Sequence, residues 1–185
     1  MSKTFKAAAL AAVLAALAGT TKAADLENTI YLDLKDGRVV IQLRPDLAPK
    51  TVARMKELTR QHFFDGIVFH RVIAGFMAQT GDPKGNGTGG SGQTVKAEFN
   101  QNAHFLRGTV GLARAANPDS GDSQFFICFK PAPNLDGKYT IFGQVTQGME
   151  FIDAIKKGDP NNNGTVVAPD HIGRMQIAAD ADKKK

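Results

Sequence analysis

Seven short segments, at 30–34, 38–43, 67–73, 109–113, 124–129, 140–145 and 172–177, set the strongest limit on how this 185-residue chain can fold. Each is of strand length, and turn signals separate many of them. Asp36-Gly37 joins the first two as a tight hairpin, and Asp136-Gly137 precedes another strand. Only two segments carry a helical period. Residues 49–61 place Val52, Met55 and Leu58 on one face behind Pro49, a residue suited to the first turn. Residues 148–157 group Met149, Ile152 and Ile155, end in lysines and stop at Gly158-Asp159-Pro160. Many strands with two helices predict a mainly β domain, a barrel or sandwich whose openings the helices cover. No repeat and no break in composition marks a second domain.

The ends of the chain read differently from its body. Lys3 and Lys6 precede an Ala- and Leu-rich run, residues 7–19, and Thr21 and Ala23 satisfy the small-residue rule for a cut after Ala23. Residues 1–23 are therefore read as a signal peptide, its apolar run too short to span a bilayer. Export to the periplasm is expected, although the pattern does not separate retention there from release into the medium. Cleavage removes Lys3, Lys6 and Lys22, which lowers the net charge from +5 to +2. The folded unit is expected over 24–182, with 183–185 a solvated basic tail. No basic stripe argues for nucleic acid, and no membrane association is expected after cleavage. Cys128 is the only cysteine, so no internal disulfide forms, and Phe126-Ile127-Cys128-Phe129 reads as core.

Chemistry concentrates in 69–82, Phe-His-Arg-Val-Ile-Ala-Gly-Phe-Met-Ala-Gln-Thr-Gly-Asp. Strict alternation puts Arg71 on one sheet face with Phe69 and Ile73, and His70 with Val72 on the other. A guanidinium among apolar side chains is costly unless it points into a cleft and is hydrogen-bonded there. The other arrangements that carry chemistry are poorly supported. His62, His70, His104 and His171 have no i, i+4 pairing and no carboxylate cluster, which argues against a metal site. Ser120 and Ser123 lack a nucleophile elbow, and Ser123 reads as a backbone-bonding residue at a strand start. The glycine-dense loop 81–92 lacks a Gly-Lys-Ser/Thr ending and suits close backbone approach, not a phosphate cradle. What remains is one Arg, the Gln79 amide and apolar walls, a site for a small, mostly apolar ligand.

In their order along the chain these residues resemble the cyclophilins, the peptidyl-prolyl cis–trans isomerases. The signature is Phe69-His70-Arg71-Val72-Ile73-x-Gly75-Phe76-Met77-x-Gln79-x-Gly81-Asp82, followed by Gly87-Thr88-Gly89-Gly90. Gly111-Leu112-Ala113-Arg114 with Ser123-Gln124-Phe125-Phe126-Ile127, then Leu135-Asp136-Gly137-Lys138 and Phe142-Gly143-Gln144-Val145, resemble the family's later blocks. The resemblance spans essentially the whole length after residue 23. It implies an eight-stranded antiparallel closed β-barrel capped by two α-helices, active as a monomer without cofactor or metal.

By position Arg71 resembles the catalytic arginine, and Phe76, Met77, Phe126 and Leu135 resemble the proline pocket. Gln79, with the backbone at Ala113 and Arg114, resembles the part that holds the flanking peptide. The resemblance implies isomerisation of X–Pro bonds in exported proteins as they fold, with a non-catalytic proline-binding chaperone as the alternative. Three departures stand out: Asn134 replaces a usual Trp or Phe, Tyr139 a usual His, and Ala74 a usual Pro. Tyr139 still supplies an aromatic wall and a hydroxyl. Loss of the aromatic at 134 predicts weak binding of cyclosporin, the family's inhibitor.

Overall fold

The computed structural model describes residues 25–181, so the segment read as a signal peptide and the 183–185 tail lie outside the described residues. Eight strands form one antiparallel sheet: β1 (Thr29–Leu34), β2 (Gly37–Leu43), β3 (Arg71–Ile73), β4 (Met77–Thr80), β5 (Thr109–Leu112), β6 (Phe125–Cys128), β7 (Ile141–Gln147) and β8 (Arg174–Ile177). Their order is β3-β4-β6-β5-β7-β2-β1-β8. The sheet curls until its edges are tied by the segments that precede β3 and β8. Gly66 N–H donates to Ile172 O at 2.8 Å, Ile172 N–H to Ile67 O at 2.9 Å, and Phe69 N–H to Asp170 O at 2.9 Å.

Alternation sorts the side chains into two apolar groups. Val72, Ala78, Ile127 and Val110 stand opposite one another across β3, β4, β6 and β5, and all four face the main core inside the curl. Phe125 stands at its centre, edge-on to Phe64 at 5.7 Å and to Phe142 at 6.2 Å. Such aromatic pairs add about 0.5–1.5 kcal/mol each beyond area burial. The residues one step along, including Met77, Phe126 and Cys128, point outward into a second apolar cluster with Phe105, Leu135 and Ile141. That outer cluster is where the site lies.

Two helices pack against the barrel much as the period predicts. Helix α1 (Pro49–Arg60) starts at Pro49 and buries Val52, Met55 and Leu58. Its N-cap, Ala48, has no side-chain oxygen to offer, and a distant carboxylate does the capping: Glu98 accepts Lys50 N–H at 3.0 Å and Thr51 N–H at 2.9 Å. Helix α2 (Met149–Ala154) stops three residues short of the expected end. Ile155 turns out of the helix into the core, 3 % exposed, and Lys157 Nζ donates to the carbonyls of Asp153 and Ile155. A third, four-residue helix, α3 (Ala178–Ala181), follows β8 directly.

Two readings of the 67–82 region need correction. The expected strand 67–73 is regular only over β3, and Phe69 joins the inner core with Val72 instead of sharing a face with Arg71. Residues 67–70 lie outside the ladder, where strict alternation does not hold. The second half of the region is a strand of its own, β4, which sequence periodicity missed. A turn closed by Phe76 N–H to Ile73 O at 3.0 Å joins it to β3, with Gly75 at φ +72. Its third position needs a residue tolerant of positive φ, while proline at the second is favoured but not required, so Ala74 serves.

Candidate active site on the outer face of the barrel

One cross-strand row builds the site. Arg71 on β3 stands opposite Gln79 on β4, Gln79 opposite Phe126 on β6, and Phe126 opposite Gly111 on β5. Because directly opposed residues share a face, a cation, an amide, an aromatic ring and a bare backbone are set side by side on the outside of the barrel. Gly111 is bare for a reason of space. A Cβ there would lie 2.5 Å from Phe126 Cζ and 2.7 Å from Phe105 Cε1, so these rings, stacked at 5.6 Å, rest directly on the β5 backbone.

Around this row lies a cavity of about 170 Å³ lined by Arg71, Phe76, Met77, Gln79, Ala113, Arg114, Phe126, Leu135 and Tyr139. These are the nine residues that the sequence singled out. The volume is well below the roughly 300–1,000 Å³ of pockets for drug-sized ligands and suits one small apolar ring. Met77, Phe126 and Leu135 are buried, and Phe76 and Tyr139 half-buried. Tyr139 meets Phe126 edge-on at 5.9 Å, while Asn134, one residue before Leu135, is exposed and does not line the cavity. Leu135 is fixed by its neighbour: Asp136 accepts Phe105 N–H and pairs with His104 Nδ1, both at 2.8 Å. Those two contacts, the Phe105 bond first, hold the Asp136 carboxyl below its ordinary range.

Arg71 forms one lip of the cavity. Nη1 donates to Gln79 Oε1 at 3.1 Å, Nε to Asn163 O at 3.0 Å and Nη2 to Asn163 Oδ1 at 2.9 Å. Partial burial pulls the guanidinium pKa down and the nearby Tyr139 hydroxyl pulls it up, but an arginine stays charged throughout. Five N–H donors against three bonds leave two uncommitted, one on each terminal nitrogen. Gln79 is held in turn, its Nε2 donating to Gln124 Oε1 at 2.9 Å, and Gln124 donates to Gly87 O at 3.1 Å and Gly89 O at 2.8 Å.

Arg114 does more than the backbone role expected of it. Its guanidinium lies 4.5 Å from the Tyr139 ring centre and donates to Lys138 O at 3.0 Å and 3.2 Å, bracing the far wall. Ala113 N–H is committed to Gln124 O at 2.9 Å and cannot serve a peptide. Both residues, with Gln79, also border a second depression of about 470 Å³ under the glycine loop. That loop is wrapped around two carboxylates: Asp82 accepts from Lys84 and Asn86, and Asp122 from Ser91 and Gly92.

Other candidates fall to structural roles. Ser123 Oγ donates to Gly81 O at 2.7 Å in a buried contact. Burial pushes the Cys128 thiol up to about 12, which leaves it inert. His70 is buried, and burial lowers its pKa, opposed by Asp82 and aided by Arg71, which favours the uncharged ring. Among the described residues no group of three or more His, Cys, Asp or Glu is placed to hold a metal ion. Sequence reasoning missed two members of the site. Asn163 stands 92 positions from Arg71, and its Asn-Gly context signals only a turn. Gln124 lay inside a quoted motif, but nothing in the sequence connects it to Gln79.

Comparison with known proteins agrees along nearly the whole of the described chain. The family model described as "Cyclophilin type peptidyl-prolyl cis-trans isomerase/CLD" matches residues 29–177. A Brucella suis protein named "Probable peptidyl-prolyl cis-trans isomerase" is 51% identical over 186 residues, covering 94% of this chain and 94% of its own. "Peptidyl-prolyl cis-trans isomerase B" of Bacillus subtilis is 46% identical over 134 residues, 71% of this chain and 93% of its own. A Cryptosporidium parvum cyclophilin type peptidyl-prolyl cis-trans isomerase, crystallised in the presence of the dipeptide Ala-Pro, superposes with a TM-score of 0.74 at 27% identity. It covers 80% of this chain and 98% of its own.

Proposed function

The chain belongs to the cyclophilin-type peptidyl-prolyl cis-trans isomerase family, and on that premise we propose that it isomerises X–Pro bonds at the Arg71 cavity. Rotation about such a bond meets a barrier of roughly 18–20 kcal/mol because amide resonance must be broken. In the twisted state the prolyl nitrogen becomes pyramidal and regains a lone pair. An N–H of Arg71 donates to that lone pair, an interaction the planar ground state does not offer, so the transition state is stabilised selectively. Phe76, Met77, Phe126, Leu135 and Tyr139 grip the prolyl ring while Gln79 holds the neighbouring carbonyl. No nucleophile, metal or cofactor enters the step. The observation that carries this reading is the braced guanidinium with two spare N–H groups at the lip of a ring-sized apolar cavity. The Ala-Pro dipeptide used with the Cryptosporidium relative supports proline-containing segments as the substrate class.

The test is isomerisation of a proline tetrapeptide by the protein and by Arg71→Ala. Loss of one preorganised donor predicts a fall of about 10²–10³ in kcat. Equal, background-level rates for both would overturn the enzyme reading, and peptide binding retained under those conditions would favour a holding role. We further propose that the enzyme works on exported proteins in the periplasm, on the strength of residues 1–23. N-terminal sequencing of the protein from a periplasmic fraction should begin at Ala24. A cytoplasmic product that retains Met1 would refute export.

A further inference from the structure

The Arg71 guanidinium is gripped along one edge by a single residue. Asn163 presents its own carbonyl to Nε and its side-chain oxygen to Nη2, at 3.0 Å and 2.9 Å. It does so from the left-handed region, φ +51 and ψ +27, which asparagine enters more readily than most residues. The loop that carries it is fastened to the same strand as the arginine. Val72 N–H donates to Gly164 O at 2.8 Å, and Gly158 N–H donates to Val72 O at 2.9 Å. Gly164 lies so near β3 that a Cβ there would come within 2.5 Å of Ile73 Cγ1. Inside the loop, Gly164 N–H reaches Asp159 O at 2.8 Å and Thr165 N–H reaches Asn162 O at 2.9 Å. The clamp and the side chain it clamps therefore share one frame.

We propose that Asn163 is a positioning residue for the reaction, fixing the plane of the Arg71 guanidinium so that its remaining N–H groups meet the twisting prolyl nitrogen. The inference rests on the reading of Arg71 as the donor. Gln79 alone constrains one terminal nitrogen and leaves the plane free to swing about the side chain. With Asn163 on the Nε–Nη2 edge, the swing is stopped and the terminal donors are preorganised. A purely architectural role makes a different demand, since glycine satisfies the left-handed turn as well as asparagine does.

Asn163→Gly and Asn163→Asp, each alone and combined with Arg71→Ala, separate these roles. Asn163→Gly keeps the turn and removes the side-chain acceptor. It should lower kcat by roughly tenfold to a hundredfold, the scale of one lost bond to a charged donor, with the peptide dissociation constant unchanged. Asn163→Asp restores an acceptor and should recover most of the loss. In the Arg71→Ala background, Asn163→Gly should cost nothing further. Guanidinium ¹⁵N NMR gives a readout independent of turnover: the two Arg71 Nη signals should be resolved in the wild-type protein and averaged by rotation in Asn163→Gly. Wild-type kcat with resolved signals in Asn163→Gly, or an equal loss in the Arg71→Ala background, would overturn the proposal. If Arg71→Ala itself isomerises as fast as wild type, the donor reading fails, and the NMR arm still decides whether Asn163 holds the guanidinium.

Discussion

Gly111→Ala offers a quantitative test of how the cavity wall is supported. The new methyl would fall 2.5 Å from Phe126 Cζ and 2.7 Å from Phe105 Cε1. Comfortable carbon–carbon separations are about 3.5–4.0 Å, so each ring must retreat by roughly an ångström. Neither ring has room to do so independently, because they stack on one another and Tyr139 closes on Phe126 from the side. Overpacking of this kind costs about 1–3 kcal/mol. At roughly 2–4 °C per kcal/mol for a domain of this size, Tm should fall by about 2–12 °C. The catalytic penalty should be larger than the stability penalty suggests, since an ångström of misplacement in a positioned site can cost about 10²-fold. A protease-coupled proline-peptide assay beside a thermal melt reads both quantities. Wild-type Tm with wild-type kcat/KM would refute the claim that the wall rests on the bare backbone of β5.

Two further predictions follow from particular contacts. Cyclosporin should inhibit weakly because Asn134 is exposed and lines no part of the cavity, and Asn134→Trp should tighten binding by about tenfold or more through buried apolar area; nanomolar inhibition of the wild-type protein would contradict this. Burial works against the charge on Asp82, but N–H bonds from Lys84, Asn86, Gly89 and Gly87 outweigh it and hold the carboxyl below its ordinary value. A depressed folded pKa gives stability that is present above the unfolded value of about 3.9 and lost as pH falls through the folded one. The protection factor of the Gly87 amide against hydrogen exchange should therefore hold above about pH 4 and fall progressively below it. An Asp82→Asn variant that retained the same acid-dependent step would place its origin elsewhere.

How much of this was legible in the sequence varies with the range of the interactions. The β1–β2 hairpin and α1 were readable because turn chemistry and a 3.6-residue period act over a few positions. β4 was hidden because Phe76-Met77-Ala78 is continuously apolar: its faces are divided between the inner core and the outer cluster, which erases alternation. The early end of α2 depends on Ile155 finding the core, a tertiary event that local propensity does not record. At the site, the nine cavity residues were named through resemblance, whereas residue pattern alone offered only Arg71, Gln79 and apolar neighbours. The supports were invisible from either direction. Glu98 on the α1 terminus and Asn163 on Arg71 act over 47 and 92 positions, and neither carries a local signature of its partner.

In the proposed mechanism Arg71 contributes to the twisting of the prolyl bond more than to holding the peptide. Two-dimensional NMR exchange on a proline peptide at equilibrium with the protein measures both at once, through cis–trans cross-peaks and through the binding isotherm. Arg71→Ala should show cis–trans exchange slowed by about 10²–10³, with an affinity close to wild type. Cross-peaks of wild-type intensity in Arg71→Ala, or their loss only in proportion to lost binding, would contradict it.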